Sequence, residues 1–230
     1  MPSPDARPGP SQVPTWVLRA NEAIDALLLA VRIQLTWLLL TLLGAVVLGI
    51  APATAAAGDA FLAARHGARV RVLPLMWDSW KREFAPANLR MLPLLIVQAG
   101  ALAMLWIIMG GGVPGSVPAL LLSGAAVISA AWSTVSLAIL AVVPRTRRQD
   151  LITSWRLALL LPAMVPLRFI GLILLLVAWT ALCTVAPPLA LLFGAAVAVR
   201  IAVWLLSLHL EVLLEDLAAT ARANARRARS

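Results

Sequence analysis

The sequence predicts an all-α, polytopic helical membrane protein with about five transmembrane helices and amphipathic interfacial helices between them. Three observations carry that reading. Of 230 residues, 62% are hydrophobic and only 13% charged, whereas soluble domains carry about 25% charged residues; the mean hydropathy is +0.93. Apolar runs long enough to cross a hydrocarbon core of about 30 Å recur along the chain. The arginines collect between these runs, as membrane topology requires of basic loops. The net charge of +9 therefore needs no nucleic acid to explain it, and the lipid bilayer is the expected partner.

Residues 1–14 hold five prolines and few apolar side chains, which predicts a disordered tail. Residues 15–217 are read as a single helical membrane domain and 218–230 as a basic cytoplasmic tail. Within 13–32, Trp16, Val17, Ile24, Leu27, Leu28 and Val31 recur at helical spacing beside Arg19, Glu22, Asp25 and Arg32, the pattern of an interfacial lead-in helix. It runs into a first span at 33–51. Small residues follow that span, but signal cleavage there would export Arg65, Arg69, Arg71, Lys81, Arg82 and Arg90, against the positive-inside bias. The span is therefore read as retained. Pro52 should end or kink it, leaving a short Ala-rich helix to about Ala64. The rival topology has six spans, with residues 53–64 contributing to another crossing, or a first segment that enters the membrane without crossing it.

In the next stretch Leu73, Met76, Trp77, Trp80 and Phe84 share one helical face, and Asp78, Lys81, Arg82 and Glu83 the other. With no soluble domain to bury the apolar face, this reads as a helix lying in the membrane interface. Lys81 and Glu83 lack a second carboxylate or histidine at motif distance, so an ion-paired surface outweighs acid/base chemistry.

The segments Leu-Gly-Ile-Ala-Pro-Ala-Thr-Ala-Ala at 48–56 and Trp-Asp-Ser-Trp-Lys-Arg-Glu-Phe-Ala-Pro-Ala-Asn-Leu at 77–89 together resemble the YesL-like family of bacterial integral membrane proteins. The resemblance covers residues 35–95; beyond it only hydropathy agrees. It implies a multi-pass protein of the bacterial plasma membrane, found alongside carbohydrate-uptake systems, and it implies no assigned activity. Asp59, His66 and the Ala-rich run after Pro52 depart from the bulkier residues expected in relatives.

A second span at 91–109 contains Gln98 and ends in the uncharged turn 110–115. The third, 117–143, carries Ser129, Ser133 and Ser136 on one face beside Ala125 and Ala126, a packing surface in preference to a polar pathway. Arg145, Arg147 and Arg148 mark a cytoplasmic return, and Leu151, Ile152, Trp155 and Leu159 suggest a second interfacial helix. Ser79-Trp80-Lys81 and Ser154-Trp155-Arg156 each precede a proline and a span, which hints at duplication. A fourth span, 167–185, turns at Pro187-Pro188 into a fifth, 189–210. The loops together place the amino terminus outside and the carboxyl terminus in the cytoplasm. Arg200 sits inside the fifth span, where insertion scales charge about 2.5–3.5 kcal/mol, so it must pair, face the bundle or snorkel. It shares a helical face with Trp204, Ser207 and Glu211.

His66 and His209 stand far from any partner at metal-ligand spacing, and Cys183 lies in an apolar run with no second cysteine. No phosphate loop or nucleophile motif is present. The expectation is a non-enzymatic accessory protein without cofactors, possessing a partner-docking surface for a membrane transport complex. Trp77, Trp80, Lys81, Arg82, Glu83, Phe84 and Asn88 are the candidate docking and interfacial residues. Gln98, Ser133, Ser136, Arg200 and Glu211 are the candidate intramembrane polar residues. The alternative is a small transporter or channel with its own substrate path.

Overall fold

The computed structural model describes residues 15–68, 70–164 and 166–227. The predicted tail at 1–14 lies outside them. The leucine-rich run that looks like one span is broken by a turn. Helix α1 (Thr15–Leu43) ends there, and α2 (Val47–Arg65) folds back along it. Ala45 and Val46 sit at φ 54° and 62°, a costly region for a β-branched residue. Two glycines make the reversal fit. A Cβ on Gly44 would lie 2.3 Å from the Gly49 Cα, and one on Gly49 would lie 2.2 Å from the Thr41 carbonyl oxygen. Trp37 Nε1 donates to Thr54 Oγ1 at 3.1 Å across the hairpin.

This turn corrects two expectations. There is no continuous span at 33–51, and the helix passes through Pro52 instead of ending there. Among the described residues six helices are long and apolar enough to cross a membrane, where about five were expected. An even number of crossings would leave both chain ends on one side, so the expected external amino terminus no longer follows.

α2 is the buried centre of the fold. Ala53, Ala55, Ala56 and Ala60 are fully buried, and their small side chains let neighbouring backbones approach. A Cβ on Gly58 would meet the Ala141 carbonyl oxygen at 2.4 Å, so this helix crosses α4 (Ser116–Val142) nearly backbone to backbone. Helix α3 (Val72–Met109) has 38 residues, about 57 Å at 1.5 Å per residue, against a hydrocarbon core of about 30 Å. Its apolar half, 91–109, therefore suffices to cross, and its charged half extends beyond. That half packs antiparallel to α2, burying Met76, Ser79 and Ala87. Of the apolar face expected to lie on lipid, Met76 is buried against protein and Trp80 and Phe84 are half-buried, while Leu73 and Trp77 stay exposed.

α5 (Pro144–Arg147) and α6 (Leu151–Met164) form the return, followed by α7 (Pro166–Val185) and α8 (Pro187–Arg227). The last two make an antiparallel pair, with Trp179 Nε1 donating to the Gly194 carbonyl at 3.0 Å and Arg168 Nη1 to that of Leu205 at 3.2 Å. α1 joins α8 where the Ala196 N–H donates to Gln34 Oε1 at 2.9 Å. Ile33, Leu40, Met76, Ile139, Leu172 and Leu206 belong to one continuous core. Outside it, Trp106, Leu120, Leu121, Leu167 and Val185 are largely exposed, a surface suited to lipid and not to water. The chain is an all-α, multi-pass membrane protein.

Candidate functional site

Two prolines inside helices leave backbone carbonyls without their usual donor, since Pro has no N–H to offer the residue four positions back. Pro52 frees the carbonyl of Leu48. Asn88 of α3 fills the gap, its Nδ2 donating to Leu48 O at 2.9 Å and to Phe84 O at 2.8 Å. Pro162 in α6 frees that of Ala158, and Ser136 of α4 donates to it at 3.1 Å. In both cases a neighbouring helix satisfies the group, as a membrane interior requires.

About two turns along from Pro52, Asp59 of α2 gathers three elements. Its Oδ1 accepts from Arg147 Nη2, and its Oδ2 accepts from Ser79 Oγ at 2.5 Å, with Arg82 Nη2 at 3.7 Å. Glu83 continues the network, 3.9 Å from both Arg82 and Arg90. The Arg147 side chain is only 5% exposed. Such a group is tolerated because its carboxylate partner offsets the desolvation cost. Arg90 and Trp155 lock the return onto α3: Arg90 Nη2 donates to the Gln149 carbonyl at 3.2 Å, and Trp155 Nε1 to that of Arg90 at 3.0 Å.

An open cleft of about 760 Å³ lies over this network, lined by Asp59, Asp78, Ser79, Arg82, Arg147 and Arg148 among others. Each of its carboxylates faces a cation: Asp59 meets Arg147 and Arg82, Glu83 meets Arg82 and Arg90, and Asp78 meets Lys81 at 3.4 Å. Among the described residues no cluster of three or more His, Cys, Asp and Glu is arranged to hold a metal ion.

Beside the cleft, Trp77 stacks on Trp80 with centroids 5.6 Å apart, and Phe84 meets Trp80 edge-on at 4.8 Å. Lys81 Nζ stands 5.4 Å from the Trp77 ring centroid. Trp77, Lys81 and Arg82 are exposed, whereas Trp80, Glu83 and Phe84 are half-buried. Asn88 is buried between α2 and α3, so it holds the platform together and presents nothing outward.

The predicted intramembrane polar residues separate. Gln98 Oε1 accepts from Ser133 Oγ at 2.5 Å and Thr134 Oγ1 at 3.1 Å, joining α3 to α4. Ser136 serves the Ala158 carbonyl on another face. Arg200 is exposed and lines a groove with Asp25, Arg65 and Trp204. The Glu211 side chain lies outside the described residues. Sequence reasoning missed Asp59 and Arg147 as partners, and it missed Gln34. Only Asp59 carried a signal, being a lone acid in an alanine-rich helix.

Residues 30–100 match the family described as "Protein of unknown function, DUF624". The match spans α2, residues 30–43 of α1 and the charged half of α3, the part of the fold that carries both the Asn88 contact and Asp59. No curated protein matches the chain, and no solved structure matches it.

Proposed function

We propose that this protein is a non-catalytic, accessory component of the bacterial plasma membrane that docks a partner through the charged half of α3. The observation that carries the proposal is the contrast between the two sides of that half-helix. Its inner side is fixed by Asn88 to α2 and by Ser79 and Asp59 to Arg147. Its outer side leaves Trp77, Lys81 and Arg82 exposed. Rigid, exposed aromatic and cationic groups lose little entropy on binding and are common anchors at interfaces. The positive-inside bias assigns this face and the carboxyl terminus to the cytoplasm. The resemblance at 48–56 and 77–89 suggests a partner within a carbohydrate-uptake system.

The cleft over Asp59 favours a second reading, a small transporter with its own path. Each of its carboxylates is paired with a cation, which supports docking over conduction. The test is purification in mild detergent followed by partner identification, alongside a solute-flux assay in vesicles. A partner retained by the wild type and lost from the K81E/R82E double variant, without flux, is the expected result. Substrate-specific flux by the protein alone would overturn it.

A further inference from the structure

The groove on the opposite side of α2 lies between α1, α2 and α8, with a volume of about 440 Å³. Its charged lining is Asp25, Arg65 and Arg200, and Leu29, Phe61 and Trp204 supply apolar walls. Arg65 is anchored to α8, with Nη1 donating to the Val203 carbonyl at 3.1 Å and to Ser207 Oγ at 2.7 Å. Those bonds leave its Nε and Nη2 donors without a partner among the described residues. Arg200, five helical positions before Leu205 where Arg168 donates, makes no ion pair among the described residues. Trp204 follows it by one turn and is 68% exposed. Leu27 and Leu28 of α1, beside the mouth, are also exposed, so the groove opens onto the lipid-facing surface.

We propose that this groove binds a membrane phospholipid, with its phosphate between Arg65 and Arg200 and the start of an acyl chain along Leu29, Phe61 and Trp204. Two guanidiniums and one carboxylate give the lining a formal charge of +1, the complement of a single phosphodiester. Guanidinium forks match phosphate oxygens in geometry as well as charge. Basic pockets between membrane helices bind phospholipid headgroups in this way. The volume suits a headgroup and the first part of a chain, while the remaining chain stays in the bilayer. The account explains why a cation is retained inside an apolar span with no protein partner described for it: the partner is lipid phosphate.

The experiment uses the full chain, delipidated in a neutral detergent and titrated with dioleoyl phosphatidylglycerol, with native mass spectrometry reading the bound lipid. One lipid per chain is expected, with Arg200→Leu weakening binding at least tenfold and Arg19→Leu leaving it unchanged. Equal loss in both variants would mean diffuse attraction and overturn the site. Two comparisons need no variant. Dioleoylglycerol, which lacks the phosphate, must bind at least tenfold more weakly than phosphatidylglycerol; equal binding overturns the role of the arginines. Inorganic phosphate at the lipid's concentration must fail to displace it; displacement would assign the groove to free phosphate instead.

Discussion

Asn88 donates its side-chain amide to the Leu48 carbonyl at 2.9 Å, and Leu48 needs that donor because Pro52, four residues on, has none to give. The contact joins α2 to α3 at the point where the helix continues through a proline. It connects the two segments, 48–56 and 77–89, that stand out in the sequence. Ser136 and Pro162 repeat the arrangement between α4 and α6. Two proline-bearing helices are thus completed by side chains from their neighbours.

Replacing Asn88 by Ala leaves the Leu48 carbonyl without its donor. A loss of about 1–3 kcal/mol is expected, the usual penalty for an unsatisfied buried polar group. Pro52→Ala restores the helix's own donor. In that background Asn88→Ala should cost less, and a double-mutant cycle followed by thermal unfolding in detergent measures the difference. Equal costs in both backgrounds would show that Asn88 acts through some other contact.

Asp59→Asn should destabilise more strongly, by about 3–5 kcal/mol, because it leaves Arg147 buried without its counter-charge. Adding Arg147→Met removes that burden. The double variant is therefore expected to melt closer to the wild type than Asp59→Asn alone.

Asp150 caps the start of α6, its Oδ2 accepting from the Thr153 N–H at 3.1 Å. Its carboxyl is held below the ordinary carboxylate range, first by the Thr153 side chain and then by the Thr153 backbone N–H. A depressed value means that the cap stabilises the fold above the unfolded carboxyl's range, about pH 4, and is lost as pH falls through the folded value. Amide exchange at Thr153 should lose protection in that acid range, and Asp150→Asn should flatten the pH dependence.

The spans after residue 90 were legible because Gly110 to Gly115 and Pro187-Pro188 punctuate long apolar runs. The first hairpin was not. Gly44, Ala45 and Val46 contain no proline or charge, and only the close spacing of Gly44 and Gly49 hinted at a reversal. Asn88 follows a charged stretch and reads as surface, although its task is set by a proline in another helix. Asp59 and Arg147 are separated by 88 residues, and no local pattern joins them. The Lys81 and Asp78 pair was the easier case, being neighbours on one helical face, although exposed pairs of this kind contribute little to stability.

Cysteine accessibility from each side of the membrane tests the docking proposal and the even number of crossings together, with Cys183 first replaced by Ala. Single cysteines at Asn21, Lys81 and Gln149 should label only from the cytoplasmic side, and one at Gly111 only from outside. Labelling of Lys81 from the same side as Gly111 would contradict a docking face in the cytoplasm, and external labelling at Asn21 would restore the odd number of crossings.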